Sequence, residues 1–173
     1  MLKTKIAVFV SGGGTNFEAL INAQENGKIP HGEIVLMVSS SKTAYALKRA
    51  ENHGIKSAVC SKKELGSQES FEEEILKNLE ENDIQLIVLA GFMSILSKEF
   101  TKKYENRIIN IHPSLIPSFC GEGFYGLHVH EAALKKGVKV TGATVHIVNE
   151  IPDGGPIIMQ RAVYVEENDT PEI

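Results

Sequence analysis

Residues 6–16 read Ile6-Ala7-Val8-Phe9-Val10-Ser11-Gly12-Gly13-Gly14-Thr15-Asn16, or IAVFVSGGGTN. Five apolar residues in a row, without polar alternation, fit a strand covered on both faces. Three glycines then break the run. From Asn16 to about Gln24 the apolar residues Phe17, Leu20 and Ile21 recur at helical spacing, and Gly27 lies beyond the end. An all-apolar strand that enters a helix through a glycine turn is the opening of a strand-helix-strand fold.

Outward from this stretch the alternation continues. Ile34–Val38, Lys56–Cys60, Ile84–Ala90, Ile108–His112, Val140–Val148 and Ile157–Val165 read as strands. Ala44–His53, Glu69–Glu81, Ser97–Tyr104 and Glu131–Lys136 read as helices. Gly54 stands just past the second helix, where a left-handed backbone suits glycine. Phe71, Ile75 and Leu79 recur every fourth residue, so Glu72-Glu73-Glu74 reads as the solvated face of that helix. All-apolar strands alternating with helices predict one α/β domain over residues 1–173. Its sheet is doubly wound, Rossmann-like and mostly parallel, with helices on both faces and mixed strand directions open toward the C-terminus.

Composition narrows the function. The 173 residues are 42% hydrophobic and 23% charged, ordinary for a globular chain, and the net charge is −4. That balance argues against nucleic acid as the main partner, but not against a small anion held by backbone donors. Cys60 and Cys120 are the only cysteines and read as free thiols in a reducing compartment. The N-terminus does not look like a signal peptide, and no apolar run approaches the roughly 20 residues of a membrane span. The expected location is cytoplasmic.

The turn SGGGTN, residues 11–16, sits where backbone N–H groups and a helix start favour an anion. It lacks the Gly-Lys-Ser/Thr of a nucleoside-triphosphate loop and the third glycine of a dinucleotide fingerprint. Ser39-Ser40-Ser41 after the second strand offers no carboxylate for a ribose. A phosphate monoester fits this turn better than NAD or ATP. The alternative is a tight turn with no ligand.

The second cluster of unusual residues spans NIHPS (110–114), GLHVH (126–130), GATVH (142–146) and DGGP (153–156). Asn110 and His112 end a strand two residues apart, hence on one face. Pro113 forces an extended backbone at His112. Asp153 opens a glycine turn and is read either as an Asx-type turn or as a carboxylate that orients a histidine. His146, inside an apolar strand, is read equally as functional or as a hydrogen-bonded core residue. His31 and His53 read as solvated. A metal site from His112, His128, His130 and Asp153 and a nucleophilic Cys120 are weaker alternatives. There is no Gly-x-Ser-x-Gly elbow. An amide, a histidine and a carboxylate without a nucleophile suit group transfer between two bound substrates. The amide and histidine steady an oxyanion, and the carboxylate manages a proton.

With these motifs in view, the chain resembles the glycinamide ribonucleotide formyltransferases of purine synthesis, within the folate-dependent formyltransferase family. The resemblance runs from about Lys5 to Thr170. It rests on SGGGTN, AGFMSIL (90–96), NIHPSLIPSF (110–119), GLHVHEA (126–132), GATVHIV (142–148) and DGGPIIMQ (153–160), in that order. It implies attack of the glycinamide ribonucleotide amine on the formyl carbon of 10-formyltetrahydrofolate, a co-substrate, with no metal. By the resemblance Gly14, Thr15 and Asn16 bind the substrate phosphate. Met93, Ser94, Ile95 and Leu96, with Asn110, line the folate pocket, and Asn110, His112 and Asp153 are catalytic. His146 matches a position near the Asp loop.

Against the family pattern, Gln68 and Ser94 stand where arginine is common, and Ser118 where a basic residue is common. GEGFY (121–125) lengthens the loop before GLHVH, and the family's usual C-terminal helix is absent from the 173 residues. Two other readings stay open: a formyltetrahydrofolate hydrolase, and a non-catalytic module that binds a phosphate ligand or folate. Oligomeric state is open.

Overall fold

The first strand, β1 (Thr4–Val10), is the centre from which the first half of the chain is wound. A computed structural model describes residues 2–172. Those residues fall into two compact units, divided between Phe100 and Thr101.

In the first unit β1 is followed by α1 (Thr15–Glu25), β2 (Gly32–Ser39), α2 (Ala46–Asn52), β3 (Lys56–Val59), α3 (Lys62–Leu65), α4 (Gln68–Glu81) and β4 (Leu86–Leu89). The strands lie in the order β3-β2-β1-β4, every pair parallel. The chain thus builds to one side of β1 and then returns to its other side, which is the doubly wound topology expected. Period-two alternation sorts the side chains of β1 between two faces. Ile6, Val8 and Val10 join Phe17 and Ile21 of α1 and Ala46 and Ala50 of α2 in one core. Phe9 points the other way and meets Phe92 edge-on at 5.2 Å, and Phe92 in turn stacks on Phe71 of α4 at 6.4 Å. Helices therefore cover both faces. Phe71, Ile75 and Leu79 are wholly buried, each contributing about 1.5–3 kcal/mol of hydrophobic stabilisation. Ser67 caps α4, its hydroxyl accepting from the Ser70 amide at 3.0 Å. Gly54 has φ 65°, as its position past α2 required.

α5 (Lys98–Lys103) spans the boundary. The second unit holds β5 (Ile108–His112), α6 (Leu127–Lys136), β6 (Val140–Ile147) and β7 (Ile157–Tyr164). β6 runs antiparallel to both β5 and β7. Mixed strand directions thus appear where the sequence left them open. Two details differ from expectation. α3, a single turn, was not foreseen. α6 starts at Leu127, four residues before Glu131, and places Val129 and Ala133 inward at i and i+4. No helix among the described residues is long and apolar enough to cross a membrane.

Candidate active site

In a doubly wound sheet a ligand crevice opens beyond the carboxyl ends of the two strands where the winding reverses. In the first unit those strands are β1 and β4. A cavity of about 300 Å³ lies there, walled by Ser11–Asn16 on one side and by Ala90, Gly91 and Met93 on the other. All three residues expected to bind a phosphate, Gly14, Thr15 and Asn16, line it. Gly14 precedes α1 with φ 71°, and a Cβ there would sit 2.7 Å from the Cβ of Ala46. Left-handed backbone and close approach both demand glycine.

The segment expected to bind folate starts at the same cavity. Met93 lines it, whereas Ser94, Ile95 and Leu96 do not. Met93 and Ile95 are exposed and Leu96 is buried. The Met93 amide donates to the Ser11 hydroxyl at 2.8 Å, so the serine of the glycine turn holds the first residue of the segment expected to bind folate. Its far end is held by a residue the sequence reading misassigned. Glu72 is 9% exposed and does not belong to a solvated face. Its carboxylate accepts from the Ser97 amide, the Ser97 hydroxyl and the Gln68 side-chain amide, each at 2.6 Å. Gln68 also donates to the Ile95 carbonyl at 3.1 Å. Gln68 thus braces the loop.

In the second unit the strand register assembles the polar cluster. Asn110 on β5 lies opposite His146 on β6, and His112 lies opposite Thr144. The Asn110 side chain meets His146 Nε2 at 3.1 Å. His146 Nδ1 donates to the Ile147 carbonyl at 2.9 Å. Asp153 reaches both histidines, Oδ1 to His146 Nε2 at 3.4 Å and Oδ2 to His112 Nδ1 at 3.5 Å. The Gly121 amide donates to Asp153 Oδ2 at 2.8 Å. His112 Nε2 donates to the Phe119 carbonyl at 2.8 Å. The expected trio Asn110, His112 and Asp153 is therefore brought together, with His146 as a fourth member.

The glycine turn around Asp153 is built for this approach. Asp153 takes φ 53°, a region Asp tolerates, and a Cβ on Gly155 would run into the Ile147 carbonyl. Electrostatics favour an ion pair. Burial alone disfavours the charge on His146, but hydrogen bonds to Asp153 and to the Ile147 carbonyl outweigh it and raise the pKa. Burial likewise works against the Asp153 carboxylate, but the His146 hydrogen bond, the Gly121 amide and the charges of both histidines lower its pKa.

The weaker alternatives find no support in the geometry. His128 and His130 lie on α6 two residues apart, so they do not share a helix face. His128 is exposed and paired with Glu131 at 3.1 Å. No group of three His, Cys, Asp or Glu suited to a metal occurs among the described residues. The Cys120 thiol is pushed up by burial and by the Asp153 charge and donates to the Pro117 carbonyl, the opposite of an activated nucleophile. His53 is not merely solvated, since it bridges Glu25 and Glu18 at 2.8 and 3.2 Å.

Comparison with known proteins identifies the class that this fold and cluster define. A model of the formyl transferase family matches residues 4–173. The chain is 48% identical over 170 residues to the trifunctional purine biosynthetic protein adenosine-3 of Gallus gallus, covering 98% of this chain and 16% of that protein. It is 39% identical over 168 residues to the phosphoribosylglycinamide formyltransferase of Haemophilus influenzae, covering 97% of this chain and 76% of that protein. The crystal structure of phosphoribosylglycinamide formyltransferase from Bacillus halodurans superposes with a TM-score of 0.89 at 41% identity, over 98% of this chain and 84% of that one. The chain belongs to the formyl transferase family. It spans about one sixth of the length of the trifunctional relative from Gallus gallus.

Proposed function

We propose that the chain transfers the formyl group of 10-formyltetrahydrofolate to the amine of glycinamide ribonucleotide, giving N-formylglycinamide ribonucleotide and tetrahydrofolate in purine synthesis. The observation that carries this reading is the cluster of Asn110, His146, Asp153 and His112, each linked to the next by a hydrogen bond or ion pair, in a formyl transferase family chain. The amine nitrogen attacks the formyl carbon, and the carbonyl oxygen becomes an oxyanion. Asn110 and His112 donate to it. The His112 Nε2 proton that now rests on the Phe119 carbonyl is the donor required, and the substrate oxygen takes that carbonyl's place. Asp153 holds His112 from the Nδ1 side and relays the proton that the amine loses and N10 of the folate gains. Collapse of the intermediate breaks the bond from carbon to N10.

In this proposal Gly14, Thr15 and Asn16 bind the substrate phosphate. Met93, Ser94, Ile95 and Leu96, with Asn110, bind the folate, and no metal takes part. The proposed setting is the cytoplasm, where the free thiols of Cys60 and Cys120 stay reduced. The test is tetrahydrofolate formation by purified protein with and without glycinamide ribonucleotide. Formation that depends on the amine is expected. Formate release at the same rate without it would make the chain a hydrolase, and tight binding of both ligands without turnover would make it a binding module.

A further inference from the structure

The glycine turn is not shaped by its own residues alone. Two of its carbonyls are tied to α2. The Ala46 amide donates to the Gly12 carbonyl at 3.2 Å. Arg49 Nε donates to the Gly13 carbonyl at 2.8 Å. Across a trans peptide the C=O of one residue and the N–H of the next point in opposite directions, and the peptides of this turn are trans. Fixing both carbonyls toward α2 therefore turns the amides of Gly13 and Gly14 away from it. Ala46 and Arg49 contribute nothing to the cavity wall, whereas Gly12, Gly13 and Gly14 all do. The turn stands between α2 and the cavity, so both amides face the cavity. Among the described residues neither has a partner. Two successive N–H groups converging on a concavity form an anion nest.

The guanidinium is itself held. Its Nη1 lies 3.1 Å from Glu18 Oε2, and its Cζ lies 5.1 Å from the centre of the Tyr45 ring. Glu18 is clamped from its other oxygen by His53, which in turn pairs with Glu25. Arg49 is thus fixed in direction by a carboxylate and an aromatic face, and its Nε is spent on one carbonyl.

We infer that Arg49 is a positioning residue for the anion site: it presents the Gly13 and Gly14 amides to the substrate phosphate without touching the phosphate itself. This inference rests on the proposed phosphate role of the turn, and the experiment separates the two. Inorganic phosphate is titrated into the full-length ¹⁵N-labelled protein while the Gly13 and Gly14 amide signals are followed. In the unmodified protein both should move and saturate. In Arg49→Gln the affinity should fall about 10-fold, the scale of one lost charge-assisted hydrogen bond. The KM for the amine substrate should rise by a similar factor, with kcat and the KM for the formyl donor unchanged. Arg49→Lys keeps the charge but not the fork that serves Gly13 and Glu18 together, so it should not restore binding. If Arg49→Gln does not fold, Glu18→Gln carries the test with a loss of about 3-fold. Glycine amides that ignore phosphate in the unmodified protein would remove the phosphate reading itself. Equal affinity in the Arg49→Gln protein, or full recovery in Arg49→Lys, would overturn the role of Arg49 while leaving the phosphate site in place.

Discussion

The turn after β1 and the end of β5 both close a strand with groups suited to a ligand, but they use different materials. After β1 the groups are main-chain amides of glycines, Ser11 to Asn16 containing no titratable side chain. At β5 they are side chains, Asn110 and His112, tied to His146 and Asp153. The first arrangement can recognise an anion but cannot move a proton. The second can do both, because an imidazole takes up and releases a proton near neutral pH. The difference is also one of support. The glycine turn is shaped from α2, a regular element. The polar cluster is closed by loop atoms, the Phe119 carbonyl and the Gly121 amide. Binding and chemistry should therefore fail separately when each region is altered.

The largest effect should come from the side-chain region. Removing one oxyanion donor typically costs about 10²–10³ in kcat. Asn110→Ala and His112→Ala should each lose at least that much, with modest KM changes. Because the residues act as one unit, the double variant should lose less than the product of the single losses. Near-normal turnover in His112→Ala would break the assignment of chemistry to this region.

Next in size is the main-chain region. Gly14→Val places a β-branched side chain at φ 71° and drives its Cβ toward Ala46. Strain of about 1–3 kcal/mol is expected. The KM for the amine substrate should rise far more than that for the formyl donor, with kcat on saturated enzyme little changed. Equal rises in both KM values would show that the turn serves both ligands alike.

What was legible in the sequence follows the same division. IAVFV and the glycines after it gave away the winding, since strands buried on both faces have no polar alternation to confuse them. Asn110 and His112 were legible because Pro113 and period-two spacing mark a held strand end. Tertiary pairings were not. Glu72 was hidden in a run of three glutamates, and nothing local says that Ser97 comes back to meet it. His53 and Arg49 look like ordinary residues of a helix end, and only the packing of α2 beside the turn gives them work. The start of α6 at Leu127 was masked by the glycines within GEGFY and by Gly126 just after it. The use of the Phe119 carbonyl by His112 could not be read at all, because any residue supplies a carbonyl.

Glu72 tests the support of the segment proposed to bind folate, with a smaller effect. Glu72→Ala leaves the Ser97 amide and hydroxyl without their acceptor, a loss of about 1–3 kcal/mol by denaturant unfolding. It should also raise the KM for the formyl donor while leaving that for the amine substrate unchanged. Glu73→Ala, one residue on and exposed, should stay within about 0.5 kcal/mol of the original. Matching losses for the two would mean that burial of Glu72 does not matter.

The smallest effect is a change of slope with pH, confined to the region that carries charges. His146 has its pKa raised from 6.5, so its contribution is complete below about that value and is lost as pH rises through the folded-state pKa. Asp153 has its pKa lowered from 3.8, so its contribution is complete above that value and is lost as pH falls through the folded-state pKa. Both are present together between 3.8 and 6.5. Asp153→Asn keeps a residue that accepts positive φ but removes the charge. The Tm difference between the original and Asp153→Asn should therefore be widest within that window and should narrow on the alkaline side, as His146 loses its proton. A gap for Asp153→Asn that stays constant from that window into alkaline pH would mean that the carboxylate is held by the Gly121 amide alone, and that its pairing with the histidines contributes nothing to the folded state.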